Sequence, residues 1–192
     1  MANVDSPFGL RPVSMLDGSP YSASVRIFST ASGDATAIYV GDPVKLSGTS
    51  STVDGLPYID VDQAATGDVI AGVVVGFVAD TRDSLVYRAA STTRLVLVET
   101  GKDVLFEIQE VSGGTPLAAA DMGLNADFVV GSGSTATGYS GVELNNVGEA
   151  TTNTLDLQII GLSPRADNAI GEHAKWLVRL NRSQWSNQIA GI

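Results

Sequence analysis

Apolar and polar side chains alternate in short runs along much of the chain, the pattern of strands with one covered face. In DVLFEIQEV (103–111), Val104, Phe106 and Ile108 fall on one face, with Glu107 and Gln109 opposite. TLDLQIIGL (154–162) sets Leu155, Leu157 and Ile159 against Asp156 and Gln158. In AKWLVRLN (174–181), Trp176, Val178 and Leu180 face one way and Arg179 the other. Further strands are predicted at SVRIF (24–28), AIYV (37–40), PYID (57–60), SLVYRA (84–89) and RLVLVE (94–99). The run VIAGVVVGFVA (69–79) has no polar alternation and fits a strand buried on both faces.

Turn signals punctuate these runs: SGD (32–34), VGDP (40–43), VDGLP (53–57), ETGKD (99–103) and SGGTP (112–116). Strands at this spacing predict an all-β protein, a β-sandwich of jelly-roll type, rather than βαβ units. PLAAADMG (116–123) and the stretch 168–174 read as short helical turns, and GSGSTATGYSG (131–141) as a surface loop, flexible or ordered by a partner. No repeat or linker divides the chain. The expected organisation is an extended N-terminal arm (1–16), a sandwich body (17–162), and a C-terminal strand and tail (163–192) packing on the body or on a partner.

Composition narrows the chemistry. A chain of 192 residues with 44% hydrophobic and 17% charged side chains can bury a large core without staples. It has no cysteine, so disulfides, thiol nucleophiles and thiolate metal sites are excluded. The longest apolar run is about half a membrane span, and Met1 to Leu16 lacks the form of a signal peptide, so cytoplasmic synthesis and a soluble product are expected. Net charge is −10 and unevenly spread: residues 31–162 carry seventeen acidic against five basic side chains, whereas 163–192 carry Arg165, Lys175, Arg179 and Arg182 against Asp167 and Glu172. An acidic body without a basic stripe argues against direct nucleic-acid binding.

Candidate catalytic groups do not assemble into a known pattern. His173 is the single histidine, too few for a cupin-like cluster, and GYSG (138–141) lacks the nucleophile-elbow spacing. IDVDQAATGD (59–68) opens like a calcium loop, but Ala64 and Ala65 stand where that loop needs Asp or Asn and then Gly; an acidic, solvent-facing strand edge is the expectation. FVVGSGSTATG (128–138) lacks the glycine spacing of a phosphate loop, and NRS (181–183) is a chance-level sequon. The residues predict no enzyme activity, cofactor or metal.

DSPFGLRPVSML (5–16) remains to be explained. Pro7 and Pro12 hold their neighbours extended, and the segment is too apolar for a solvated tail. It reads as a strap whose Pro7, Phe8, Leu10, Arg11 and Pro12 bind a partner, with an intrachain edge strand as the alternative. At the other end, Arg179, Arg182 and Trp185 are candidate contacts; Trp185 in RSQWSNQ is either an anchor on a partner or an intrachain packing residue.

Several stretches, taken in order, resemble the head decoration or cement proteins of tailed bacteriophages. They are SPFGLRPV (6–13), VGDPVKL (40–46), IAGVVVGF (70–77), YRAAST (87–92), RLVLV (94–98), DVLFEIQE (103–110), GLNADFVVGSGSTATGYSGVEL (123–144) and LQIIGLSPRADNAIGEHAKWLVRLN (157–181). The resemblance implies a β-rich virion protein on the capsid exterior, a homodimer or homotrimer bridging subunits of the major capsid protein, with no enzyme activity and no cofactor. A tail or tail-tube component and a β-sandwich carbohydrate-binding module are the alternatives.

Overall fold

The computed structural model describes residues 3–186, so residues 1–2 of the expected arm and 187–192 of the expected tail lie outside the description. In chain order the strands are β1 (Arg11–Met15), β2 (Val25–Thr30), β3 (Pro43–Val53), β4 (Leu56–Gln63), β5 (Gly72–Phe77), β6 (Arg94–Glu99), β7 (Val104–Gln109), β8 (Asn125–Ala126), β9 (Phe128–Val129), β10 (Glu143–Leu144), β11 (Leu157–Leu162) and β12 (Lys175–Leu180). Among the described residues the helical content is one 3-10 turn, Ala119–Asp121, and no helix is long and apolar enough to cross a membrane. The all-β expectation holds.

Two sheet systems carry the fold. Strands β2, β4, β3, β5 and β6 close into a barrel, and β1, β7, β12, β11 and β8 form an open sheet in that order; β9 and β10 make a small ribbon. These strand orders do not confirm a jelly roll. The barrel closes through a full antiparallel β2–β6 pairing and one parallel pair, Ser29 with Asp60. Its interior holds Phe28, Ile38, Val44, Val61, Val74, Val96 and Val98. The larger core lies on the open sheet, where Val104, Phe106, Ile108, Leu157, Ile159, Trp176, Val178 and Leu180 pack together as the alternation predicts.

Strand β5 joins the two cores. Val73 enters the larger core and its neighbour Val74 enters the barrel, so the strand is covered on both faces, as its unbroken apolar run implies. Gly72 permits the close approach, because a Cβ there would lie 2.3 Å from the Glu99 carbonyl oxygen. A side chain at that point would push β5 away from β6.

Several local expectations are corrected. SLVYRA (84–89) is not a strand; Arg88 alone bridges to Ile38. Its buried guanidinium donates to the carbonyls of Ala31, Thr36 and Thr92 and pairs with Asp34 at 3.0 Å, so it ties loops together instead of extending a ladder. AIYV (37–40) contributes only isolated bridges. The long β3 has little apolar alternation beyond Leu46, because Thr49 and Ser51 donate their hydroxyls to Asp60 at 2.9 and 3.0 Å. Asp60 is therefore a buried, hydroxyl-ringed carboxylate, and not a solvent-facing edge group. The stretch 168–174 contains turns and no helix. The loop 131–141 is ordered on its own chain, with Val40 N–H donating to Gly138 O (2.9 Å) and Ser140 N–H to Val40 O (2.8 Å).

Among the described residues, both terminal segments contribute strands to the open sheet, so the C-terminal strand packs on the body, one of the two expected outcomes. β12, expected in a C-terminal segment, lies between β7 and β11. β1, expected in an extended arm with an intrachain edge strand as the alternative, is that edge strand, pairing with β7 through Arg11–Glu107 and Pro12–Phe106. Phe106 is buried at the centre of the larger core. Replacing Phe106 with Ala should lower unfolding free energy by about 3–5 kcal/mol in urea titrations, the usual cost of removing a fully packed ring.

Candidate partner-binding groove

The N-terminal segment is held by a backbone contact that only glycine allows. Gly9 and Gly41 both adopt left-handed φ, +73° and +95°. A Cβ on Gly9 would lie 2.5 Å from Gly41 O, and one on Gly41 would lie 2.4 Å from Phe8 O. With neither present, Leu10 N–H reaches Gly41 O at 2.9 Å and the Leu10 side chain enters the core, 1% exposed. The chain then enters β1, where a bulge between Pro12 and Ser14 accommodates a proline that has no N–H to give.

Between this segment and the barrel runs a groove of about 460 Å³. Pro7, Phe8 and Pro12 line one side, and Val40, Val75 and Tyr139 the other. Its lining is mainly apolar, with Arg11 also contributing. The Arg11 guanidinium lies 4.8 Å from the centre of the Phe8 ring and pairs with buried Glu107. Glu107 also accepts from Ser163 Oγ (2.6 Å) and pairs with Arg165 (3.4 Å). Arg11 is thus fixed as a planar cation over an aromatic face, an arrangement that orients Phe8.

Of the residues expected to bind a partner, Pro7, Phe8, Arg11 and Pro12 are brought together here. Leu10 also borders the groove, but its burial makes it a core residue and not an accessible anchor. Arg179, Arg182 and Trp185 are not part of the lining. Arg179 donates to Gln158 Oε1 (2.7 Å), and Arg182 to Thr154 O (3.0 Å). Trp185 donates its indole N–H to Ala71 O at 2.6 Å, an intrachain anchor, while 41% of its surface stays exposed near Arg26.

The opposite wall was not visible as a site in the sequence. Val40, Val75 and Tyr139 come from three remote segments, and each reads locally as a core or loop residue. The one available signal was Gly41 in an apolar context, the counterpart of Gly9. Comparisons with protein-family models, curated proteins and solved structures return no match for this chain.

Asp42, beside Gly41, is fully buried and accepts the Tyr39 N–H at 2.8 Å. Burial pushes its carboxyl up to about 6. Burial also raises Asp156, which sits beside Asp127. A raised carboxyl keeps its proton in the folded state where the unfolded chain has already released it. The resulting stability is complete below about pH 4 and is lost as pH rises through about 6. Asp42→Asn mimics the protonated form, so its unfolding free energy should fall less than wild type between pH 4 and 7, with residual slope from Asp156. Separately, Gly41→Ala should cost more than the ~1–2 kcal/mol of a left-handed alanine, because the methyl also meets backbone. An unchanged urea midpoint for this variant would show that the segment is not docked as described.

Proposed function

We propose that this chain is a non-enzymatic virion structural protein that decorates and cements the exterior of a tailed-phage capsid, binding subunits of the major capsid protein as a homodimer or homotrimer. The observation that carries the reading is the apolar groove beside the N-terminal segment, with Phe8, Pro7 and Tyr139 at its surface. Such a groove suits an extended segment of a neighbouring subunit, and β1 beside it is the edge strand of its sheet. The ordered resemblance of nearly the whole chain to decoration proteins supports the same reading. Weak contacts of this kind hold firmly when one oligomer engages several lattice subunits at once.

The segment is therefore reassigned from a strap extended onto a neighbour to one wall of the binding groove. Deleting it would remove Leu10 from the core, so point substitutions at the surface test the proposal more cleanly. Phe8→Ser and Tyr139→Ser should each reduce occupancy on purified capsids by about tenfold or more in co-sedimentation, with far-ultraviolet circular dichroism unchanged; a loss of one such contact is about 1.4 kcal/mol per tenfold. Undiminished occupancy in both variants would remove the groove from the mechanism. Antibody labelling of virions that marks only the tail would overturn the decoration reading in favour of a tail component.

A further inference from the structure

The sequence offers a single histidine, and the fold brings it to two carboxylates from distant parts of the chain. Asp5 lies just before the groove segment, Glu143 is on β10, and His173 is in the turn before β12. One ligand atom from each of the three lies within 4.8 Å of the others. His173 Nδ1 is shielded from solvent, makes no hydrogen bond, and stands 3.6 Å from Asp5 Oδ1. That separation is too long for a good hydrogen bond but close to the ~3.4 Å between two ligands at ~2.1 Å around a tetrahedral ion.

The surroundings hold these groups in place. Gln109 Nε2 donates to both Asp5 Oδ1 and Glu143 Oε1, each at 2.9 Å, and Gln109 Oε1 accepts the Ser6 N–H at 2.9 Å. One fixed amide thus orients both carboxylates, the role that outer groups play around protein metal ions. Asn3 binds the His173 turn from the same side, donating to Ala169 O (2.8 Å) and Glu172 O (2.9 Å) and accepting the Ala169 N–H (3.1 Å).

We propose that Asp5, Glu143 and His173 form a binding site for a divalent transition-metal ion of the zinc class. One imidazole and two carboxylates suit zinc, with water completing the tetrahedron; calcium takes six to eight oxygen ligands, and this site offers a nitrogen and too few oxygens. The ion clasps the N-terminal segment to β10 and to the turn before β12, with Asp5 two residues from Pro7 on the wall of the groove. Its effect is to hold that wall in place.

The test uses the untagged full chain, freed of metal with a chelator and titrated with Zn²⁺ by calorimetry. The expected result is one Zn²⁺ per chain, a higher thermal midpoint, and slower proteolysis within residues 3–16. Co²⁺ in place of Zn²⁺ should give the visible absorption of a tetrahedral site. Asp5→Asn and His173→Asn should each weaken Zn²⁺ binding by tenfold or more; asparagine is chosen at 173 because it tolerates the φ of +58° there. Asp5 is largely exposed, so its variant keeps the test valid even if the His173 variant folds poorly. Absent binding, or weak binding that Asp5→Asn leaves unchanged, would overturn the site and leave only a 3.6 Å Asp5–His173 contact.

Discussion

The polar face of β7 governs how the rest of the chain must lie. Val104, Phe106 and Ile108 fill the core on one side, which leaves Leu105, Glu107 and Gln109 on the side that a half-exposed sheet would give to water. All of them are buried. An unpaired carboxylate in that position would be strongly destabilising, so each polar group needs partners delivered from elsewhere. Arg11, Ser163 and Arg165 supply Glu107, while Ser6, Asp5 and Glu143 surround Gln109. The path of the N-terminal segment and of the turn after β11 follows from these requirements. At the end of the strand, Glu110 meets the same need with neutral donors: Leu117 N–H, Asn146 and the Trp176 indole, at 2.9–3.1 Å.

Glycine sets the second constraint. The barrel strand β5 contributes to both cores, through Val73 and Val74, and the N-terminal segment docks where Gly9 meets Gly41. At both Gly72 and Gly41 a Cβ would strike a carbonyl oxygen, so these approaches depend on absent side chains and not on added attraction. The groove exists because the segment is pinned at Gly9–Gly41 and again at β1, while Phe8, oriented by Arg11, stands at its border.

This explains which parts of the fold the sequence reveals. Strands β6, β7, β11 and β12 are legible because each buries an alternating apolar face. β5 is legible for the opposite reason, having no polar face at all. β3 is not, since Ser47, Thr49 and Ser51 look like a polar loop until Asp60 is placed among them. β1 shows the limit most clearly. Apolar anchors and prolines identify an extended segment that must dock, but the same pattern serves an edge strand of its own chain or a strap on a neighbour. Phe8, Pro7 and Pro12 were legible as a surface of interest; the wall formed by Val40, Val75 and Tyr139 was not, because tertiary packing alone brings it together. For His173, the spacing of residues 5, 143 and 173 carries no metal-site signature, and only β7 with its Gln109 unites them.

The distribution of charge then determines what kind of surface can approach. Basic side chains are largely taken up internally: Arg88 by Asp34, Arg11 and Arg165 by Glu107, Lys45 by Asp68, and Arg165 again by Asp167. The basic surplus read in residues 163–192 is therefore not a free cationic patch, since Lys175 is buried and Arg179 and Arg182 bond to their own chain. What faces outward carries the remaining negative charge. If the groove binds as proposed, its partner brings an apolar segment and a neutral or basic rim, because a second acidic surface would be repelled before the apolar contact could form. On that proposal, apolar burial supplies the attraction at the groove, and the acidic field selects which surfaces reach it.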